Sequence, residues 1–207
     1  MNTYRLHAIF SSLQGEGRNA GMPATFIRFC SCNLACTWCD THKSEKMNLV
    51  LGDVVKKVGD FGNKCVIVTG GEPTIQPGLD NLLEALRSAG HWLALETNGV
   101  VAPSRPELFD YVSVSPKSAY AARYTDKSIK KADEVRIVAV SSDIAQFCAK
   151  MREQISATDY YVSPLEEHGK MHYRRAFQLL LKLNKISPDL TPPWKLSLQQ
   201  HKILGIR

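Results

Sequence analysis

Short apolar runs alternate along this chain with stretches whose apolar positions recur at helical spacing. Ala24-Thr25-Phe26-Ile27-Arg28-Phe29 reads as a strand, and the period turns helical over residues 50–61. Residues 65–69 form a near-continuous apolar run, as in a strand buried on both faces, and stop at Gly70-Gly71-Glu72-Pro73. Residues 77–89 read as a helix, with Leu79, Leu82, Leu83 and Leu86 on one face and Gly90 as its stop signal. Further strands are expected at 92–96, 111–115, 134–140 and 160–163, and further helices at 143–154 and 173–184. The chain closes on Lys195-Leu196-Ser197-Leu198 and a short tail.

This alternation predicts parallel βαβ units, whose chemistry sits in the loops after the strands' carboxyl ends. A closed eight-unit barrel takes about 250 residues, so roughly six units predict an α/β fold of the partial, shortened parallel β/α barrel type. A doubly wound open sheet is the structural alternative. The 207 residues suit a single domain, residues 1–207, with no repeat or long linker.

Composition changes the picture only where cysteine is concerned. A 44% hydrophobic and 22% charged chain is ordinary for a folded protein. No apolar run approaches the roughly 20 residues that span a bilayer, and the start lacks a signal-peptide pattern. A cytoplasmic location without membrane association is therefore expected. The net charge of +6 is scattered, which favours plain solubility over a nucleic-acid footprint. Six cysteines in a reducing compartment point to metal binding or catalysis rather than disulfides. Cys65 and Cys148 read as small core residues, whereas Cys30, Cys32, Cys36 and Cys39 cluster.

Cys32-Asn33-Leu34-Ala35-Cys36-Thr37-Trp38-Cys39 spaces three thiols on one loop, with an aromatic before the last. Three thiolates can ligate three irons of a cubane and leave the fourth open, where a ferredoxin cluster uses four cysteines. A zinc site completed by Cys30, Cys65 or His42 is the competing reading, although paired Cys-x-x-Cys knuckles are lacking. The spacing, together with Gly70-Gly71-Glu72-Pro73, resembles the signature of the radical S-adenosylmethionine (SAM) superfamily.

The flanks resemble one family within it, the 7-carboxy-7-deazaguanine synthases. These are Ser12-Leu13-Gln14-Gly15-Glu16-Gly17, Phe26-Ile27-Arg28, Cys39-Asp40-Thr41, Ser115-Pro116-Lys117 and Leu196-Ser197-Leu198-Gln199-Gln200-His201-Lys202. The resemblance implies a [4Fe–4S] cluster on Cys32, Cys36 and Cys39, and SAM held by Trp38, Cys39, Asp40, Gly71, Glu72, Ser115, Pro116 and Lys117. Ser163, Pro164, Leu165 and Glu166 would form a later SAM-contacting loop, with Ser163 replacing a glutamine common in relatives. It implies Mg²⁺ on Thr41 and substrate on Leu13, Gln14, Gly15, Arg28 and Thr69. Arg28 also offers a fork suited to a carboxylate. Thr97 and Asn98 read equally as pocket residues or a plain turn. Residues 6–28 would bind substrate, 30–41 form the cluster loop and 194–207 cap the site.

The implied reaction starts when a reduced cluster cleaves SAM to a 5′-deoxyadenosyl radical. That radical abstracts hydrogen from 6-carboxy-5,6,7,8-tetrahydropterin, whose ring contracts with loss of ammonia to give 7-carboxy-7-deazaguanine, a queuosine precursor. A flavodoxin- or ferredoxin-type electron donor and a homodimer are implied as well. The alternatives are a glycyl-radical-enzyme activase and, outside enzymes, a zinc-binding interaction module.

Overall fold

The computed structural model describes residues 3–39 and 47–206. It opens with β1 (Thr3–Leu13), β2 (Pro23–Phe29) and β3 (Met47–Val50), followed by α1 (Leu51–Asp60), β4 (Cys65–Gly70), α2 (Leu79–Ser88), β5 (Trp92–Thr97) and β6 (Tyr111–Val114). Then come β7 (Lys131–Ala139), α3 (Ala145–Gln154), β8 (Ser156–Pro164) and the small β9–β10 hairpin (Glu166–Glu167 and Lys170–Met171). The chain ends with α4 (Tyr173–Ile186), β11 (Trp194–Leu196) and α5 (Gln200–Ile203).

One nine-stranded sheet runs β11-β8-β7-β6-β5-β4-β2-β1-β3. From β2 to β11 every pairing is parallel. Helices carry four of the crossovers, while β5–β6 and β6–β7 are joined only through 3-10 turns at Pro106–Leu108 and Ser118–Arg123. The sheet curls without closing, with β11 and β3 at its two edges. The expected partial barrel is therefore the observed architecture.

The antiparallel strands β1 and β3 were not legible in the hydrophobic pattern. The register of β1 against β2 shifts between Leu6 and Ala8. A bulge swaps the face on which successive side chains emerge. Tyr4, Leu6 and Ile9 thus join one apolar cluster, while Ala8 and Phe10 point into another. A simple two-residue alternation cannot describe such a strand.

Helices α1 and α2 cover one outer flank of the sheet. Val54 and Val58 meet Leu79, Leu82, Leu83 and Leu86 there, all buried. Helices α3 and α4 cover the other, where Cys148, Met151, Leu179 and Leu183 pack on Val135, Ile137 and Val162. Asn184 fixes α4 to β11 by exchanging two 3.0 Å hydrogen bonds with the Trp194 backbone. The inner face holds a smaller core of Phe10, Phe26, Ile67, Ala94 and Tyr111. Toward the carboxyl ends of the strands the inner side chains become polar: Thr69, Glu96, Ser113 and Arg136. No helix among the described residues is long and apolar enough to cross a membrane.

Leu83 has no exposed surface within the α1–α2 flank. Leu83→Ala is expected to cost about 2–5 kcal/mol, read as a lower urea midpoint at unchanged slope.

Candidate functional site

A cavity of about 920 Å³ opens at the carboxyl ends of the parallel strands. Strand-end loops and the C-terminal tail wall it together, the tail through Gln199, His201 and Lys202. The tail is fastened by hydrogen bonds from Gly17 N–H to Ser197 Oγ at 2.9 Å and from Gln200 N–H to the Gly15 carbonyl at 2.9 Å. Gly15 leaves no room for a side chain, because a Cβ there would lie 1.9 Å from His201 Nδ1.

The cysteine loop forms one wall. Cys32, Cys36 and Cys39 all line the cavity as free thiols. Tyr120 OH accepts from Ala35 N–H at 3.1 Å and Arg123 donates to the Asn33 carbonyl at 3.2 Å, so the turns after β6 brace the loop. From the other side, Gly71 N–H donates to the Phe29 carbonyl at 2.9 Å and Glu72 N–H to the Ser31 carbonyl at 2.8 Å. Such close backbone contact requires the glycines. Gly70 has φ of 115°, and a Cβ on Gly71 would sit 2.0 Å from Ser31 O. Burial pushes the Cys32 and Cys36 thiols up, and for Cys36 the nearby Lys117 ammonium opposes it.

Glu72, expected as a SAM contact, lies off the cavity lining and is fully buried. Its carboxylate accepts from Thr74 N–H and Oγ1–H at 3.1 and 2.9 Å, Thr97 Oγ1–H at 2.6 Å and Asn98 N–H at 2.7 Å. These four donors use the side chain to tie the loops after β4 and β5. Pro116 is also off the lining, while Trp38, Gly71, Ser115, Lys117, Ser163, Pro164, Leu165 and Glu166 are on it. Lys117 Nζ donates to Ser115 Oγ at 2.7 Å. Ser163 Oγ is buried without a hydrogen-bond partner, an orphan that a bound polar ligand would satisfy. Asp40 and Thr41, expected at the SAM and Mg²⁺ sites, lie outside the described residues, as does His42.

The opposite wall is polar. Leu13, Gln14, Gly15, Arg28 and Thr69 all line it; Thr97 and Asn98 also line the cavity, Asn98 beside the cysteine loop at Asn33. Arg28 pairs in register with Thr69 across β2 and β4. Its guanidinium lies over the Phe10 ring at 5.5 Å, and its buried Nε has no hydrogen-bond partner. Gln14 Nε2–H and Thr69 Oγ1–H each donate to Glu96 at 3.0 Å. Arg136, on β7, completes the group. It donates to Glu96 at 2.6 Å and to Glu16 at 2.8 Å, and its Nε faces Glu134 at 3.0 Å. Burial pushes the Glu96 carboxyl up, but Arg136, Gln14 and Thr69 outweigh it and bring the group down to about 2. Glu96 is thus an ionised acceptor on the wall of the cavity.

The donor set fits an iron–sulfur cubane and a polar nucleoside-bearing ligand beside it. Among the described residues no three metal-binding side chains converge on one point as a single ion would need. A cubane instead spreads its cysteine ligands over separate irons.

A model of the Radical SAM superfamily matches residues 26–142. The 7-carboxy-7-deazaguanine synthase of Neisseria meningitidis serogroup B is 47% identical over 203 residues, covering 98% of this chain and 94% of that protein. The chain belongs to the 7-carboxy-7-deazaguanine synthase family. The synthase of Haemophilus influenzae is 46% identical over the same shares. The crystal structure of QueE from Escherichia coli matches with a TM-score of 0.76 over 96% of this chain and 95% of that one, a likeness of fold at 23% identity. As a member of the radical SAM superfamily, the chain uses a [4Fe–4S] cluster and SAM.

Within this 7-carboxy-7-deazaguanine synthase fold, Glu96, Ser113, Glu134 and Arg136 were missed by sequence reasoning because they sit inside strands rather than in loop motifs. Their signal is a polar residue at inward-facing positions of an otherwise apolar run, as in Trp92-Leu93-Ala94-Leu95-Glu96. Replacing Arg136 by Met leaves Glu16, Glu96 and Glu134 without their cation. Arg136→Met is expected to destabilise the apoprotein by about 3–5 kcal/mol at pH 7 in urea titrations. The folded-state value of Glu96 lies below its ordinary 4.5, so its contribution is complete above pH 4.5 and lost as pH falls toward 2. In Arg136→Met that part of the acid slope should disappear.

Proposed function

We propose that this chain catalyses the Mg²⁺-dependent ring contraction of 6-carboxy-5,6,7,8-tetrahydropterin to 7-carboxy-7-deazaguanine and ammonia. The observation that carries this reading is the meeting, in one cavity, of three cluster-type thiols with the Arg28–Thr69–Glu96–Gln14 wall. The 47% identical relative named for this product supports it. The conversion is redox-neutral overall, since substrate and product differ by one ammonia.

Cys32, Cys36 and Cys39 hold the cluster. Trp38, Gly71, Ser115, Lys117 and the loop Ser163-Pro164-Leu165-Glu166 hold SAM, with Thr41 offered to Mg²⁺ next to Asp40. When bound, the cluster and SAM supply the one-electron chemistry that begins hydrogen abstraction from the substrate. Arg28 binds the substrate carboxylate, its unpartnered Nε already facing the need for an acceptor. Glu96, kept ionised by Arg136, accepts hydrogen bonds from the N–H-rich edge of the pterin. Leu13 and Gly15 shape the adjoining wall, and the tail at Gln199–Lys202 keeps bulk water out. The reaction takes its electron from a flavodoxin- or ferredoxin-type donor, in a homodimer, in the reducing cytoplasm where the free thiols persist.

Anaerobically reconstituted protein, given SAM, Mg²⁺, a strong reductant and the pterin, is expected to yield a product lighter by one ammonia in mass spectra. SAM should not be consumed stoichiometrically. Formation of 5′-deoxyadenosine without pterin conversion would reject the substrate and point to an activase. Neither product at full iron content would reject the reaction class.

A further inference from the structure

Asn98 follows β5 on the cavity wall and is buried. Nearly all of its polar groups are committed. Its N–H donates to Glu72 Oε2 at 2.7 Å, its carbonyl accepts from Tyr124 OH at 3.1 Å, and its Oδ1 accepts from Val100 N–H at 2.9 Å. With Oδ1 fixed on Val100, the side-chain amide has one orientation. Nδ2 then faces Asn33 Oδ1 at 2.7 Å and Cys32 Sγ at 4.0 Å. Leu34 N–H, at 3.4 Å, is the other donor aimed at the same sulfur.

We infer that Asn98 is a positioning residue that tunes the reduction potential of the cluster by donating a hydrogen bond to the Cys32 sulfur. The inference rests on Cys32 as a cluster ligand and on nothing about the substrate. Reduction adds negative charge to the cluster and its thiolates. A donor aimed at a ligand sulfur therefore stabilises the reduced form more than the oxidised one and raises the potential. The fully buried Glu72 fixes this placement from the other side: Asn98 stands between the two, with its N–H on the carboxylate and its Nδ2 facing the sulfur. A glutamate off the cavity lining thus holds in place a side-chain amide whose nitrogen faces a cluster ligand; the Asn33 amide oxygen, 3.9 Å from the same sulfur, has no hydrogen to donate to it.

The test is an EPR-monitored redox titration of the full-length, anaerobically reconstituted protein without SAM or pterin, so that failure of the proposed reaction leaves it intact. Asn98→Ser keeps an oxygen for the Val100 N–H but cannot reach Cys32. Asn98→Asp keeps Oδ1 and replaces the donor by a charge. Both are expected to hold the iron content of the parent and titrate at more negative potential, the aspartate further. At one fixed reductant level the reduced fraction of the serine variant should fall several-fold. A parental potential in Asn98→Ser would overturn the inference, including the case in which only Asn98→Asp moves. Pulsed EPR of the reduced protein in deuterated water gives a second reading independent of the titration. Beside the coupling from Leu34 N–H, which both proteins keep, it should show in the parent a further deuteron coupling that Asn98→Ser lacks, and an unchanged spectrum would equally overturn it.

Discussion

One guanidinium at the centre of the open barrel, that of Arg136, organises what lies around it. Removing a charge from water costs several kcal/mol, and only near-complete pairing offsets that. Here each face of the fork has its own partner: Glu16 from the loop after β1, Glu96 from β5, and Glu134 with Ser113 beside it. Three carboxylates cannot sit this close without the cation, nor the cation without them. The loop at residues 14–17, three strands and the Thr69 and Gln14 side chains are therefore placed by a single electrostatic requirement. The apolar inner core of Phe26, Ile67, Ala94 and Tyr111 stops where this layer begins, so the boundary between core and cavity is also a boundary of charge.

The cysteine loop is placed by different physics. It has no extended core of its own, and backbone contact does the work instead: the end of β4 is stitched to residues 29–31 at a separation that only glycine permits. Glu72 then turns inward and joins the ends of β4 and β5 with four hydrogen bonds. The two walls of the cavity share strand β5, since Glu96 belongs to one wall and Asn98 to the other. The ionised carboxylate of Glu96 and the Asn98 amide facing Cys32 are separated by one residue, which couples the positioning of both.

Much of this was legible in the chain, for identifiable reasons. The parallel strands are buried on both faces, so their apolar runs stand out, and the Leu79–Leu86 face of α2 shows a plain helical period. The clustered cysteines and the glycine pair were visible because ligation and close approach impose residue types at fixed spacing. What escaped depends on pairing across strands. The bulge in β1 breaks its period, and the inward charges Glu96, Glu134 and Arg136 resemble isolated interruptions until the register brings them together. Glu72 was read as a ligand contact because its motif lies at the site. Only the buried donors around it show that its carboxylate works on the loops.

The central claim is that the ionised Glu96 on the Arg136 hub recognises the substrate. The most direct measurement is the dissociation constant of 6-carboxytetrahydropterin, by anaerobic equilibrium dialysis with SAM present, for the parent and for Glu96→Gln. The glutamine keeps the shape and removes the charge. A charge-assisted hydrogen bond is worth about 1.5–3 kcal/mol, so binding about tenfold weaker or more is expected. Equal affinity in the two proteins would contradict the role given to Glu96 and to the charge network that holds it.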